Sequence, residues 1–298
     1  MDGELAVHHR VHRFWRGADR RETLDIVAEA VEEVRAAAPG VEAVGFGLPS
    51  LVDRETGTSV WSNHLPIENV QFRDLMSERL GLPVVVDNDA NGAALAEQRY
   101  GAARGASHVA MLTLGTGIGG GLVLGGELYR GSTGAGAELG HMTVDLDGPP
   151  CRSGCPNRGC LETVASGRAI GEAGVEIARR RADSALGRAA AAGEEVTGAL
   201  VTELAHDGDS AAREAIEQVG ERLGAGLVNL VNVFNPEVVV IGGGAVAAGD
   251  LLLGPARAIL AERGLRPNRD QVRVVPAHFG PEAGMLGAAL LALERDPR

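Results

Sequence analysis

Hydrophobic residues recur along this chain with two different periods, which predicts strands alternating with helices. Residues 3–11, GELAVHHRV, alternate as a strand does, and residues 20–38 carry the apolar spacing of a helix that ends before Pro39 and Gly40. Residues 41–47, VEAVGFG, form a short apolar run typical of a buried strand. This strand-helix-strand opening indicates an α/β fold.

The same alternation continues to the end of the chain. Residues 83–101, PVVVDNDANGAALAEQRYG, predict a strand that runs into a helix, with Asp and Asn at the junction and Gly101 after the helix. Residues 108–126, HVAMLTLGTGIGGGLVLGG, predict two strands joined by a glycine-rich turn. Helices are predicted over about 167–182 and 194–232, the second interrupted by the polar stretch AHDGDS. The remaining predicted elements are a strand in PEVVVIGGGAV, a strand in QVRVVPA and a closing helix over 281–294.

Composition limits the classes of partner. With 45% hydrophobic and 23% charged residues, a chain of 298 residues can bury a large core in one large or two medium domains. Its formal charge of −12 disfavours nonspecific attraction to nucleic acid or to an anionic membrane. All 28 basic residues are arginine, which excludes mechanisms that need a lysine, such as a Schiff base or a Walker lysine. Small molecules are therefore the expected partners.

All three cysteines lie within residues 151–160, in a segment rich in glycine and proline that follows His141. The odd number of cysteines, and the lack of a signal segment or of an apolar run long enough to span a bilayer, predict a reducing, cytoplasmic setting. In that setting the thiols are free to bind a metal. The alternative is three buried free thiols, although this polar loop offers no apolar pocket for them.

Two glycine clusters each follow an apolar strand. In LGTGIGGG, backbone N–H groups without neighbouring side chains can surround phosphate oxygens, and Thr116 adds a hydroxyl donor. In VIGGG, a nucleotide can approach the backbone closely. The alternative for either cluster is that the glycines only serve tight turns.

Three motifs together resemble the ROK family of sugar kinases and repressors, with its glucokinase-type members the most similar. These are LGTGIGGGLVLGGELYRGSTGAGAELGH, DNDAN, and the His/Cys segment ending in GCLE, and the resemblance extends over most of the chain from about residue 41. It implies the actin-like, hexokinase-like (ribonuclease H-like) fold of two α/β domains with a cleft between them. We expect a sugar-side domain over residues 1–107 and a nucleotide-side domain over 108–298, with a zinc-binding loop at 141–160.

The resemblance implies a structural zinc held by His141, Cys151, Cys155 and Cys160. One nitrogen and three sulfur ligands give Zn²⁺ a closed tetrahedral shell, and Gly and Pro let a short loop surround it. The usual family spacing C-x-C-x4-C appears here as C-x3-C-x4-C, so Cys151 is the ligand that departs from the pattern. His141 would serve twice, with one ring nitrogen on zinc and the other toward the sugar.

The same resemblance implies an ATP-dependent, Mg²⁺-assisted phosphorylation of a hexose at its 6-hydroxyl, glucose being the expected sugar. Asp89 of DNDAN matches the catalytic base, which accepts the proton of the attacking hydroxyl. The matching sugar contacts are Asn88, Glu138, His141 and Glu162, with Asn63 of SNHLP as a further candidate. The alternative for Asp89 is a helix cap, a role that Asp87 or Asn88 can also fill. An isolated Glu such as Glu162 is usually a solvated surface residue.

On the nucleotide side, the expected phosphate contacts are Gly115, Thr116 and Gly117, and the expected adenosine-side turn is Gly242, Gly243 and Gly244. Ser50 in GFGLPSLVD stands where the family more often has glycine, so its hydroxymethyl is expected to narrow the pocket or add a hydrogen bond. Relatives imply a homodimer or homotetramer.

Other functions stay open at this point. A ROK transcriptional regulator needs a DNA-binding domain before the sugar domain, and only about forty residues precede VEAVGFG. A sugar-binding protein without kinase activity is a second alternative, because no D-x-G-G-T phosphate motif precedes the first predicted strand. That absence predicts weaker ATP binding than in a version extended upstream by two strands. A zinc knuckle that binds nucleic acid is disfavoured, since the loop lacks interleaved aromatic and basic residues.

Overall fold

A computed structural model describes residues 6–14, 17–38, 40–62, 65–152 and 154–294 of the chain. The strands within these residues are β1 (Val44–Leu48), β2 (Leu51–Asp53), β3 (Thr58–Trp61), β4 (Val84–Asn88), β5 (Val109–Leu114), β6 (Ile118–Leu124), β7 (Glu127–Leu128), β8 (Val238–Gly242) and β9 (Arg273–Pro276). The α-helices are α1 (Arg20–Ala37), α2 (Phe72–Leu80), α3 (Asp89–Arg99), α4 (Leu161–Ala165), α5 (Gly167–Arg180), α6 (Ala185–Ala191), α7 (Gly198–His206), α8 (Ser210–Phe234), α9 (Asp250–Arg263), α10 (Asn268–Gln271) and α11 (Ala283–Glu294).

The larger sheet has five strands in the order β7-β6-β5-β8-β9. Strands β5, β8 and β9 are parallel, whereas β5, β6 and β7 pair antiparallel. Successive side chains of a strand point to opposite faces, and β5 shows this plainly. Ala110 and Leu112 join the large core under α5, α7 and α8, while Val109 and Met111 pack toward α3 on the other face. This layering explains why β8 consists of apolar residues and glycine, and why β5 is apolar apart from Thr113.

The smaller sheet pairs β1 with β4 in parallel, so that Leu48 lies opposite Asn88 at the carboxyl ends of both strands. Helices α1 and α2 cover one face of this sheet through an apolar cluster that includes Phe72 and Met76. The last helix, α11, returns to this half of the molecule and packs against α3, β1 and β4. It approaches closely because Gly287 faces Gly92 of α3, where a Cβ would overlap the neighbouring carbonyl oxygen.

Most predicted elements are confirmed. The helix after residue 20, the strand before the DNDAN helix, the glycine-turn hairpin, the break between α7 and α8, the strands at β8 and β9 and the closing helix all form. The sequence patterns did not predict the β2-β3 hairpin or the helices α2, α6 and α9.

The prediction of a strand over residues 3–11 is wrong for its described part, because residues 6–14 have no regular secondary structure. A strand needs a neighbour that pairs with its backbone, and this segment instead lies against helices. Val7 packs against the apolar cluster of α3 and α11, and Arg13 pairs with Glu33 of α1. Its alternating pattern therefore reflects contacts with helices rather than a pleated backbone.

Candidate functional site

The junction of β4 and α3 sorts three polar residues into different roles. Asn88 is the helix N-cap, since its side-chain oxygen accepts bonds from the N–H groups of Ala90 at 2.9 Å and Asn91 at 3.1 Å. Asp87 points into the interior and is buried. Asp89, the first residue of the helix, is exposed to the cleft described below. The cap role is thus filled by Asn88. Asp89 Oδ1 shares the N–H of Ala90 at 2.9 Å, and Asp89 lines a space that a ligand can enter.

Across from this junction, the turn between β5 and β6 consists of Gly115, Thr116 and Gly117. The three glycines that follow lie within β6 and serve packing. A Cβ on Gly119 would lie 2.9 Å from the Cβ of Ala90, and one on Gly121 would lie 2.6 Å from the Cβ of Ala94, so these two glycines let α3 approach the sheet. Gly120 faces the opposite side of the strand, where it contacts Ala137 and Leu139. Gly243 has a φ of +84°, and a side chain there would collide with the backbone of Leu114. The conformation of the turn after β8 therefore requires this glycine.

The cysteine loop brings four potential metal ligands together. The ligand atoms of His141, Cys151, Cys155 and Cys160 all lie within 4.8 Å of one another. The Sγ of Cys151 lies 3.6 Å from His141 Nδ1, and the Sγ atoms of Cys155 and Cys160 are 4.0 Å apart. A tetrahedral Zn²⁺ with ordinary bond lengths would separate a nitrogen and a sulfur ligand by about 3.6 Å and two sulfur ligands by about 3.8 Å. The donor set and its spacing therefore fit zinc.

The extra residues between the first two cysteines do not keep the loop from closing. The backbone N–H of Cys151 donates to the carbonyl of Asn157 at 2.9 Å, which closes the loop on itself, and Thr143 forms an isolated bridge with Cys160. Burial and the two neighbouring thiols raise the pKa of Cys160 to about 12. A divalent cation would relieve that penalty, because thiolates crowded this closely need a compensating positive charge.

His141 connects the cysteine cluster to the cleft. Its Nδ1 faces Cys151, and its Nε2 lies 3.9 Å from the carboxylate of Glu138. Glu138 keeps 41% of its side chain exposed, yet its position within the cleft raises the pKa of its carboxyl. The main cause is loss of solvent, and the nearby carboxylates of Asp89 and Glu162 add to it, while His141 acts in the opposite direction. The His141 ring therefore faces the cysteine cluster with Nδ1 and the Glu138 side of the cleft with Nε2.

Glu162, in the first turn of α4, is attached to the glycine turn. Its Oε2 accepts a hydrogen bond from the N–H of Ile118 at 2.9 Å. A Cβ on Gly117 would overlap the same carboxylate, so the glycine at this position permits the approach. Glu162 is therefore half-buried at the meeting point of the cysteine loop and the turn, and it is not a solvated surface residue.

These elements enclose a cleft of about 360 Å³. Most of the predicted site residues line it, namely Asn88, Asp89, Gly115, Thr116, Gly117, Glu138, His141, Glu162 and Gly243. Gly242 and Gly244 flank the cleft without lining it. The predicted contact Asn63 lies outside the described residues. A smaller recess of about 150 Å³ adjoins the cleft and shares Thr116, Gly117 and Glu162 with it. Arg168 lines this recess, as do Arg152 and Glu172, which form an ion pair.

Sequence reasoning missed several lining residues, which are Pro49, Leu51, Trp61, Ser62, Thr113, Ile118 and Gly119. Trp61 ends β3, and the β-branched and aromatic residues Thr58, Val60 and Trp61 after the turn-forming stretch DRETG are the signal that could have identified this strand. Ser50 also lines the cleft, but its hydroxyl bonds to Ser59 Oγ at 2.6 Å and to the carbonyl of Trp61 at 2.9 Å. Ser50 thus fastens the β2-β3 hairpin that carries Trp61.

Three findings relate this chain to known proteins. The ROK family model matches residues 2–295. A glucokinase from Thermotoga maritima is 38% identical over 274 residues, covering 91% of this chain and 86% of that protein. A putative xylose repressor from a Caldicellulosiruptor species is 36% identical over 282 residues, covering 91% of this chain and 68% of the repressor.

The structural comparison agrees. The crystal structure of a ROK family glucokinase from Streptomyces griseus in complex with glucose and AMPPNP superposes with a TM-score of 0.83 at 35% identity, covering 94% of this chain and 90% of that one. The predicted α/β fold of the actin-like, hexokinase-like class is confirmed by this similarity. Within the described residues, none of the helices combines the length and apolar character needed to cross a membrane.

Proposed function

The chain belongs to the ROK family, and from that premise we propose that it is a sugar kinase that transfers the γ-phosphoryl group of ATP to the 6-hydroxyl of a hexose. The observation that carries the proposal is the position of Asp89. Its carboxylate lies in one cleft with polar side chains suited to sugar hydroxyls and with a glycine turn suited to phosphates. The glucose and AMPPNP held by the Streptomyces griseus relative support glucose and ATP as the substrates.

The sugar side of the cleft would be formed by Asn88, Glu138, His141 and Glu162. Carboxylates and amides bind several hydroxyls directionally, and a site built from them rejects analogues that lack those hydroxyls. The side-chain oxygen of Asn88 accepts the helix-cap hydrogen bonds, and its amide nitrogen donates to the carbonyl of Ser50 at 3.3 Å. One amide hydrogen then remains for a sugar oxygen, which gives Asn88 a single donor role.

Asp89 would act as the general base. As the 6-hydroxyl oxygen bonds to the γ-phosphorus and the bond to ADP breaks, the hydroxyl proton passes to the Asp89 carboxylate. The Gly115-Thr116-Gly117 turn would hold the phosphates through backbone N–H groups and the Thr116 hydroxyl, with Gly243 opposite. Arg168 beside the smaller recess would add positive charge near the same turn, whereas the charge of Arg152 is compensated by Glu172. Mg²⁺ entering with ATP would neutralise phosphate charge.

Zinc would be held by His141 Nδ1 and the three thiols, and it would supply structure rather than chemistry. The closed set of four ligands leaves no open position for substrate. Binding would fix the ring of His141 so that its Nε2 faces the sugar pocket. The cysteine loop also carries the chain into α4 and therefore to Glu162, so the metal would order two sugar contacts at once.

The test is an ADP-release assay with ATP and a panel of glucose, mannose, N-acetylglucosamine, N-acetylmannosamine and xylose, run on the wild type and on Asp89→Asn. We expect turnover with at least one hexose, and a loss of about 10²–10⁴-fold in kcat in Asp89→Asn with sugar affinity by calorimetry largely kept. Asp74→Asn on the exposed face of α2 is the matched control and should behave as wild type.

Two outcomes would contradict this proposal. Comparable turnover in Asp89→Asn would remove the assignment of the base. Sugar binding by the wild type with no ADP release from any sugar would favour a sugar-sensing protein, in line with the repressor relatives.

A further inference from the structure

Asp87, the residue before the N-cap of α3, is buried, and its carboxylate accepts three hydrogen bonds. Its Oδ1 accepts from the backbone N–H of Asn88 at 2.8 Å and from the side-chain amide of Asn91 at 2.9 Å. Only 7% of its side chain is exposed, and it does not line the cleft. A carboxylate this deeply buried needs a compensating charge to remain ionised.

That charge comes from Arg130, which lies 43 residues away, after β7. The Nε of Arg130 donates to Asp87 Oδ2 at 2.6 Å, and 16% of the arginine side chain is exposed. Arg130 does not line the cleft either. A nearly buried, hydrogen-bonded pair of this kind holds its two chain segments in one relative position, because separating them would leave a charge without a partner in the interior.

The two segments joined by this pair carry different parts of the site. On one side, Asp87 is followed directly by Asn88 and Asp89. On the other, the carbonyl of Arg130 accepts the N–H of Gly136 at 2.8 Å, which folds the loop back on itself two residues before Glu138. Gly136 is required at this point, since a Cβ there would lie 2.8 Å from the Arg130 oxygen. The bond between Arg130 and Gly136 therefore fixes where the segment that leads to Glu138 and His141 begins.

We infer that Arg130 is a positioning residue that acts through Asp87 to set the distance between the Asn88-Asp89 edge of the cleft and the Glu138-His141 edge. The buried side chain of Asn91 fixes the orientation of Asp87 relative to the first turn of α3, because its amide donates to Asp87 Oδ1. This inference rests on the proposed function in that the two edges are taken to bind one sugar molecule.

The test compares Arg130→Met, Arg130→Lys and Asp87→Asn with the wild type, and uses Arg79→Met as the control. Arg79 likewise forms a pair with a residue distant in the chain, Asp25, between α1 and α2, but both partners are partly exposed and lie away from the cleft. For each variant the sugar Kd is measured by calorimetry, KM for sugar and for ATP and kcat are measured by ADP release, and the melting temperature is recorded.

We expect Arg130→Met to lower kcat/KM for the sugar by about 10–100-fold and to weaken the sugar Kd, because small displacements of aligned groups are costly, while KM for ATP changes by less than about twofold. Arg130→Lys should recover part of the loss, since lysine restores the charge but not the directional Nε bond. The double variant Asp87→Asn, Arg130→Met should have a kcat/KM for the sugar no lower than that of Arg130→Met alone. The reason is that each substitution removes the same interaction, the bond between Arg130 and Asp87.

A lowered melting temperature with unchanged sugar Kd and KM in all three single variants would overturn the inference and leave a purely structural pair. If Arg130→Met does not fold, Arg130→Lys and Asp87→Asn decide the question on the same readouts. If the wild type releases no ADP, the proposed function fails, and the sugar Kd series still tests whether the pair positions the binding site.

Discussion

Glu97 offers a sharp test of how this fold is held together. It lies in α3 and its side chain is fully buried. Its Oε2 accepts the N–H groups of Ala102 at 2.8 Å and His278 at 3.0 Å, and its Oε1 accepts the N–H of Phe279 at 2.8 Å. Ala102 lies in the connection from α3 to β5, and His278 and Phe279 lie in the connection from β9 to α11. One carboxylate therefore fastens both connections between the two sheets.

Glu97→Gln keeps the shape and removes the charge. The amide oxygen can accept at most the two donors that now share Oε2, which leaves the N–H of Phe279 facing an NH₂ group. Bonds to a charged acceptor exceed neutral ones by about 1 kcal/mol each, and an unpaired N–H costs about 1–3 kcal/mol. Since His278 is exposed, water replaces part of this loss, and we expect about 2–4 kcal/mol of destabilisation.

The assay is urea unfolding followed by circular dichroism, together with thermal melting, on Glu97→Gln and on Glu294→Gln. The control changes the same chemical group at the end of α11, where Glu294 is 43% exposed and pairs with Arg99. It should stay within about 0.5 kcal/mol of wild type, whereas Glu97→Gln should melt about 3–6 °C lower. Equal stability of the two variants would refute the view that the buried carboxylate joins the connections.

Two further predictions concern the metal and the helix packing. Freshly purified protein should contain about one zinc per chain. Cys160→Ser should lose both the zinc and most of the sugar affinity, because metal binding orders the loop. Metal analysis showing no zinc in the wild type would contradict this. Gly287→Ala should destabilise the protein by about 3 kcal/mol or more, since the new methyl group overlaps the Gly92 carbonyl and must push α11 away from α3. Gly254→Ala, in α9, is its control, because no other part of the chain lies within 4 Å of the added Cβ. The gain in helix propensity is offset by the restriction that Pro255 places on a preceding residue with a Cβ, so this variant should stay within about 1 kcal/mol of wild type in chemical unfolding. Similar losses in both variants would refute the packing argument.

Much of the site could be predicted from the sequence, because the residues that form each of its motifs are close together in the chain. The Asp and Asn residues after an apolar strand mark the start of α3, since short polar side chains cap the free N–H groups of a helix. The glycine turn between two apolar runs specifies the β5-β6 hairpin, and cysteines spaced within ten positions can converge on one point wherever the loop lies. In each case the residues that interact are neighbours in the chain, and their backbone preferences already fix the local geometry.

Tertiary structure decided which of these residues does what. The sequence allowed Asp87, Asn88 or Asp89 to cap α3. In the fold Asp87 is a buried residue of β4 that pairs with Arg130, and Asn88 caps the helix. Trp61 reaches the cleft on a hairpin that carries only a weak local signal. Nothing in the local sequence marks Glu97 as buried, because two of its three donors, the N–H groups of His278 and Phe279, lie 181 and 182 positions away. Pairings of this kind depend on which segments the hydrophobic layers bring together, because that packing selects among partners that the local sequence cannot distinguish.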